Sequence, residues 1–161
     1  FKDVGRDTCE KGLYCSLAGS PDADRRCIKY CQRAAECELN QDCASLGSVP
    51  SFGTCQKRCD PLGDASECGS ANLNNCVLLS VVSGFSASGN LAGFCYKAGT
   101  VGENEACSYA DDCTLGFNCY GGKCTQMCNT DTKPCGEGFT CTPLATIGEE
   151  VGVCVAKSGK K

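Results

Sequence analysis

Aliphatic and aromatic residues are spread thinly along this chain, and cysteines punctuate them at nearly every step. The densest apolar run, VLLSVV at positions 77–82, opens the longest of three equivalent loops, Ala44–Thr54, Val77–Phe94 and Thr142–Val153. Each loop follows C-x2-L (Leu46, Leu79, Leu144) and closes on G-x-C (Gly53, Gly93, Gly152). β-Branched residues on the arms with Gly or Pro at the bends predict three β-hairpins. Such two-stranded ribbons are marginal alone, and disulfides at their ends are the expected reinforcement. Within VLLSVV the apolar positions Val77, Leu78, Leu79, Val81 and Val82 do not alternate, so a strand here is apolar on both faces. Together with Phe85 they form a candidate contact surface for a protein partner or a second copy of the chain. The competing expectation is that they pack onto a neighbouring module.

A second motif, C-x2-G-[LF]-x-C, recurs at Cys9–Cys15, Cys113–Cys119 and Cys135–Cys141. Gly12, Gly116 and Gly138 suit a tight turn with positive φ, and Leu13, Phe117 and Phe139 are placed to cover the adjacent disulfide. After Cys15 comes a polar loop in which Asp22 or Asp24 is placed to cap a short helix over Arg25–Ala35, with Cys27 and Cys31 at i, i+4. Two aspartates fall far short of the roughly six to eight oxygens of a calcium site. The repeats divide the chain into a first module at 1–56 with an incomplete first half, a short second module at 57–97, and a complete third at 98–161. The polar stretch Tyr96–Ala106 is the clearest boundary, and the tail 155–161 is expected to fray. The fold class is therefore small and disulfide-rich: tandem modules of short β-hairpins and loops with little helix.

Composition fixes the compartment. Nineteen cysteines in 161 residues exceed the fraction, about a tenth, that marks a disulfide scaffold. Disulfides at this density belong to an oxidising environment, so a secreted or cell-surface location is expected. Metal binding is the rival use of cysteine, but the chain has no histidine, no C-x-C and no C-x2-C, so no metal ligands are assigned. Net charge is −4 and no basic run exceeds Arg25-Arg26 or Lys160-Lys161, which speaks against a nucleic-acid partner. No span of about 20 apolar residues is present to cross a membrane. The chain opens at Phe1 without a charged-then-apolar leader, which reads as a processed secreted form or a fragment.

Without histidine the usual Ser/His/Asp and Cys/His arrangements are unavailable. There is no G-x-S-x-G elbow or phosphate-binding glycine loop, and no C-x-x-C redox pair. The acid pairs Asp111-Asp112 and Glu149-Glu150 sit in polar loops and read as solvated charge rather than a glycosidase pair. The expectation is no catalytic residue, no cofactor and no enzymatic role.

The run GENEACSYADDCTLGFNCYGGKCTQMC, followed by C-x2-G-F-x-C and G-V-C, resembles the cysteine-rich repeats of secreted bacterial proteins abundant in myxobacteria. In spacing it is similar to the Dickkopf amino-terminal cysteine-rich pattern, although no adjacent cysteine pair occurs here. The resemblance covers the third module well, the first in part, and the second only in its latter half. It implies an extracellular or cell-surface repeat protein.

Sequence alone leaves connectivity open. An interlaced first–third and second–fourth rule within each four-cysteine unit gives Cys31–Cys43 with Cys37–Cys55, Cys59–Cys76 with Cys68–Cys95, Cys107–Cys119 with Cys113–Cys124, and Cys128–Cys141 with Cys135–Cys154. By alignment Cys9 then pairs with Cys27. Cys15 is left over, because the position six before Cys9 is Asp3 where the third module has Cys107 six before Cys113. Cys15 is expected either to bond a second chain or to meet a cysteine upstream of Phe1. Two functions follow: a structural or adhesive repeat protein, a subunit of an extracellular assembly or filament; or a soluble binding module such as a protease inhibitor or receptor antagonist.

Overall fold

The computed structural model describes residues 9–16, 26–46, 49–63, 65–69, 74–83, 86–145, 147 and 150–157. Among them run ten strands: β1 (Leu13–Ser16), β2 (Arg26–Cys31), β3 (Gln41–Leu46), β4 (Val49–Lys57), β5 (Asn75–Ser83), β6 (Ser86–Tyr96), β7 (Phe117–Tyr120), β8 (Lys123–Cys128), β9 (Phe139–Pro143) and β10 (Gly152–Ala156). The only helical turns among the described residues are two of 3-10 type, at Ala34–Glu36 and Ala65–Cys68. This is a small disulfide-rich β fold.

The strands form five antiparallel hairpins, and every hairpin carries two cysteines directly opposite one another. The facing pairs are Cys15 and Cys27, Cys43 and Cys55, Cys76 and Cys95, Cys119 and Cys124, and Cys141 and Cys154. Facing cysteines are not bonded to each other. Cys27 instead reaches back to a cysteine that precedes its hairpin, and in the other four hairpins both facing cysteines do so, so that two disulfides cross at the base. The bonds are Cys9–Cys27, Cys31–Cys43, Cys37–Cys55, Cys59–Cys76, Cys68–Cys95, Cys107–Cys119, Cys113–Cys124, Cys128–Cys141 and Cys135–Cys154. Eight are the pairs of the interlaced rule, and Cys9–Cys27 is the pair expected by alignment. Their Cα atoms lie 5.3 to 5.9 Å apart, within the ordinary range for the bond. Each closes a short loop, which stabilises the unit by about 2–4 kcal/mol through restriction of the unfolded chain.

The three loops read as hairpins are the β3–β4, β5–β6 and β9–β10 hairpins, with Ala44 opposite Thr54, Val77 opposite Phe94 and Thr142 opposite Val153. Positions 47–48 and 84–85, at the bends of the first two, lie outside the described residues. Gly12, Gly116 and Gly138 have φ of +96°, +85° and +84°. Each is the third residue of a turn closed by a backbone hydrogen bond: Leu13 to Glu10, Phe117 to Thr114 and Phe139 to Gly136. No helix spans Arg25–Ala35; β2 runs through it instead and ends at Cys31. A spacing of four keeps Cys27 and Cys31 on one face of a strand as well as of a helix. Asp22 and Asp24, the expected caps, lie outside the described residues.

Hairpins join through their outer strands. Tyr30 and Cys31 of β2 pair with Thr54 and Gly53 of β4. In the same way, Met127 and Cys128 of β8 pair with Val153 and Gly152 of β10. The result is one four-strand arrangement used twice, β1-β2-β4-β3 and β7-β8-β10-β9. The first copy is extended to six strands where Val81 of β5 pairs with Ala44 of β3.

Candidate interaction surfaces

The sulfurs organise the interior. Cys31, Cys43 and Cys55 form a buried cluster of their own. In four units, three of the four sulfurs lie within 4.8 Å of one another: those of Cys31, Cys37 and Cys55; Cys59, Cys68 and Cys95; Cys107, Cys113 and Cys124; and Cys128, Cys135 and Cys141. All twelve belong to disulfides, so these groups are two bonds stacked on each other. That stacking dictates the G-x-C ending. A methyl group on Gly53, Gly93 or Gly152 would come to 2.8, 2.7 or 2.9 Å from the sulfur of Cys43, Cys76 or Cys141, and would overlap a backbone carbonyl as well.

The apolar run of β5 lies mostly inside. Val77 is fully buried. Leu79 packs against Ala44, Ala92 and Phe94. Leu78 packs against Met127 of β8 and Leu144 and Val153 of the last hairpin, with Leu62, Ile147 and Val151 around it. A strand with apolar residues on both faces is thus covered on both, one side by β3 and its own partner β6 and the other by the fourth and fifth hairpins. Val77, Leu78 and Leu79 are therefore not a free contact surface, which corrects that expectation in favour of packing between modules. The side chains of Val81 and Val82, and all of Phe85, lie outside the described residues.

Beside Leu78 sits a connection with no counterpart in the sequence reading. Asn75 and Asn118, buried to 1% and 3% exposure, bridge β5 and β7 reciprocally. Asn118 accepts from the Leu78 N–H through Oδ1 (2.7 Å) and donates Nδ2 to the Cys76 carbonyl (3.1 Å). Asn75 accepts from the Gly116 N–H (3.0 Å) and donates to the Phe117 carbonyl (3.1 Å). Each side-chain amide stands in for a peptide of a β-ladder and gives these four backbone groups their partners. The available signal is an asparagine directly before the third cysteine of a unit, found in the third and fourth units and in no other.

The Tyr96–Ala106 stretch is docked rather than free. Gly99 and Val101 donate to the carbonyls of Cys113 and Asp112, and Thr114 donates to Val101. A side chain on Gly99 would overlap the Asp111–Asp112 backbone. Asp112 itself accepts from the Ser108 and Tyr109 N–H groups at 2.7 and 2.8 Å, so its carboxylate is committed to holding a turn. Half-burial pushes the Asp111 carboxyl above its usual range; a backbone hydrogen bond opposes the shift and the Asp112 charge adds to it. Of the other acid pair, Glu149 lies outside the described residues and Glu150 is exposed.

The nine bonds use eighteen of the nineteen cysteines, and the one remaining is Cys15. Its backbone sits in β1 opposite Cys27, the place Cys119 holds opposite Cys124; its side chain lies outside the described residues. No helix among the described residues is long and apolar enough to cross a membrane. No protein-family pattern, curated protein or solved structure matches the chain. Heavy disulfide bonding defines the class: an extracellular, disulfide-stapled protein.

Proposed function

We propose that this chain is a rigid structural or adhesive subunit of an extracellular assembly, of the kind its likeness to secreted bacterial cysteine-rich repeats implies. The observation that carries the reading is the pattern of connections. Every disulfide closes within one hairpin unit, and units are joined by strand pairing and by the asparagine bridge. A chain stapled at each unit and docked unit to unit holds its shape under load. Cys15, left over by the pairing, supplies one covalent link to another chain; a filament needs non-covalent contacts as well, because one thiol crosslinks only a dimer. Native sizing beside a non-reducing gel tests this. Particles larger than the monomer, with a crosslinked band that Cys15→Ser removes, are expected. A strictly monomeric protein at physiological concentration overturns the reading.

A binding module, such as a protease inhibitor, is the second reading, and Leu39 favours it. This leucine is 91% exposed in the loop between Cys37 and Cys43, whose ends are tied by their disulfides. An apolar side chain on a stapled, projecting turn is what a partner's pocket takes up. Leu39→Asp abolishes inhibition by this route and leaves assembly intact.

A further inference from the structure

Each long hairpin carries C-x2-L along its first arm: Cys43 to Leu46, Cys76 to Leu79 and Cys141 to Leu144. The N–H and C=O of one residue point to one side of a strand, and those of the next residue to the other. Hydrogen bonds at a few positions therefore fix which groups of the motif face outward. In β3 the Asn40 carbonyl accepts from Arg58, so Ala44, in the same register and opposite Thr54, faces β4. Cys43 and Ser45 face away. In β5 the Cys76 carbonyl and the Leu78 N–H meet Asn118, so both face away from β6. In β9 the Gly138 carbonyl accepts from Lys157, and the Leu144 N–H donates to Val151 just beyond the strand. Cys141 and Pro143, on the alternate positions, face away from β10.

The same two backbone positions thus point outward in all three hairpins: the cysteine and the residue two further on. In the second unit they flank Ala44, whose pairing with Val81 joins β3 to β5. Ala44 directs its own N–H and C=O at β4, so that pairing runs through the Cys43 carbonyl and the Ser45 N–H. In the third unit the two groups take both ends of the Asn118 amide, at 3.1 Å from the Cys76 carbonyl and 2.7 Å from the Leu78 N–H. A strand fills the pair in one unit and a side-chain amide in the other, so the join needs one donor and one acceptor at this spacing. In the fifth unit Cys141 supplies the acceptor, but residue 143 is proline and has no N–H. β9 stands at the end of its sheet, and Thr142 is exposed where its counterpart Ala44 is fully buried. The Phe139 N–H, also on an outward position, is taken by the Gly136 carbonyl.

We infer that this carbonyl–amide pair is the socket by which one C-x2-L unit takes up the next, and that Pro143 makes the fifth unit a stop. A proline at an outward position removes a ladder donor and leaves the pairing with β10 intact, which is how edge strands are kept from adding further strands. The stop acts against a second copy of this chain. Where two β9 edges meet antiparallel about Cys141, each Cys141 N–H reaches the other copy's Cys141 carbonyl, and β9 has no other outward donor to offer. An amide at position 143 would add a bond from each copy to the Phe139 carbonyl of the other. The inference goes beyond the assembly reading, because it names an edge through which copies do not join.

Hydrogen exchange on the full chain tests both halves. Ser45→Pro carries the stop into the second unit, and Ser45→Ala is its control. Exchange at Val82, whose N–H faces the Cys43 carbonyl across the join, is expected to quicken roughly tenfold in Ser45→Pro and to stay unchanged in Ser45→Ala. Amides of β7 and β8 keep their rates in both. Equal Val82 rates in the two variants, or acceleration spread over the whole chain, overturn the socket. The stop is read at the Cys141 amide at low and high protein concentration. In the unaltered chain that amide is expected to exchange at one rate throughout. In Pro143→Ser it is expected to slow roughly tenfold at the higher concentration. Concentration-dependent protection in the unaltered chain, or none in Pro143→Ser, overturns the stop. A chain that assembles with its Cys141 amide unprotected keeps both the stop and the proposed function. A strictly monomeric chain loses the assembly reading and keeps the stop.

Discussion

Glycine and asparagine do work in this protein that cysteine alone cannot. The stacked disulfides leave no room for a side chain two residues before the last cysteine of a long-hairpin unit, and glycine stands there each time. Gly152→Ala is expected to cost about 1–3 kcal/mol, the usual penalty for overpacking a filled site. Gly136→Ala is the control, since nothing lies within 4 Å of a Cβ there; it is expected to leave stability unchanged or slightly raised. Thermal unfolding of both variants under oxidising conditions measures the difference. The G-x-C spacing is visible in the sequence because the constraint is covalent and local. Asn75 and Asn118 give little sequence signal, because a buried amide declares itself only through the edge it meets.

The elements were legible where local chemistry decides them. The three long hairpins and the positive-φ turns at Gly12, Gly116 and Gly138 follow from C-x2-L, G-x-C and C-x2-G-[LF]-x-C. The expected helix over Arg25–Ala35 fails because the two cysteines four residues apart suit either periodicity, and RCIKYC then follows its β-branched and aromatic residues into a strand. VLLSVV was ambiguous for a related reason. A two-faced apolar strand says that both faces are covered, not by what. The Asn75–Asn118 bridge locks β5 to β7. Asn118→Ala leaves the Leu78 N–H and the Cys76 carbonyl without partners and is expected to cost about 3 kcal/mol. Hydrogen exchange at Leu78 should quicken by two orders of magnitude or so, while exchange within β3 and β4 stays unchanged. Equal acceleration in both places would mean that the bridge does not act locally.

At the scale of the molecule, five hairpin units of one design follow one another along the sequence, and the first lacks one of its four cysteines. The repeated four-strand arrangement was not visible in the sequence, because pairing of β2 with β4 and of β8 with β10 is set by contacts between units. The vacancy at Cys15 was visible, since counting cysteines suffices. Non-reducing proteolysis with mass spectrometry of the alkylated protein tests the whole architecture most directly. Nine peptide pairs are predicted, all within units, with Cys15 in a disulfide to another polypeptide. A bond between two units, a bond between facing cysteines such as Cys43 and Cys55, or an alkylated Cys15 on a monomer would contradict it.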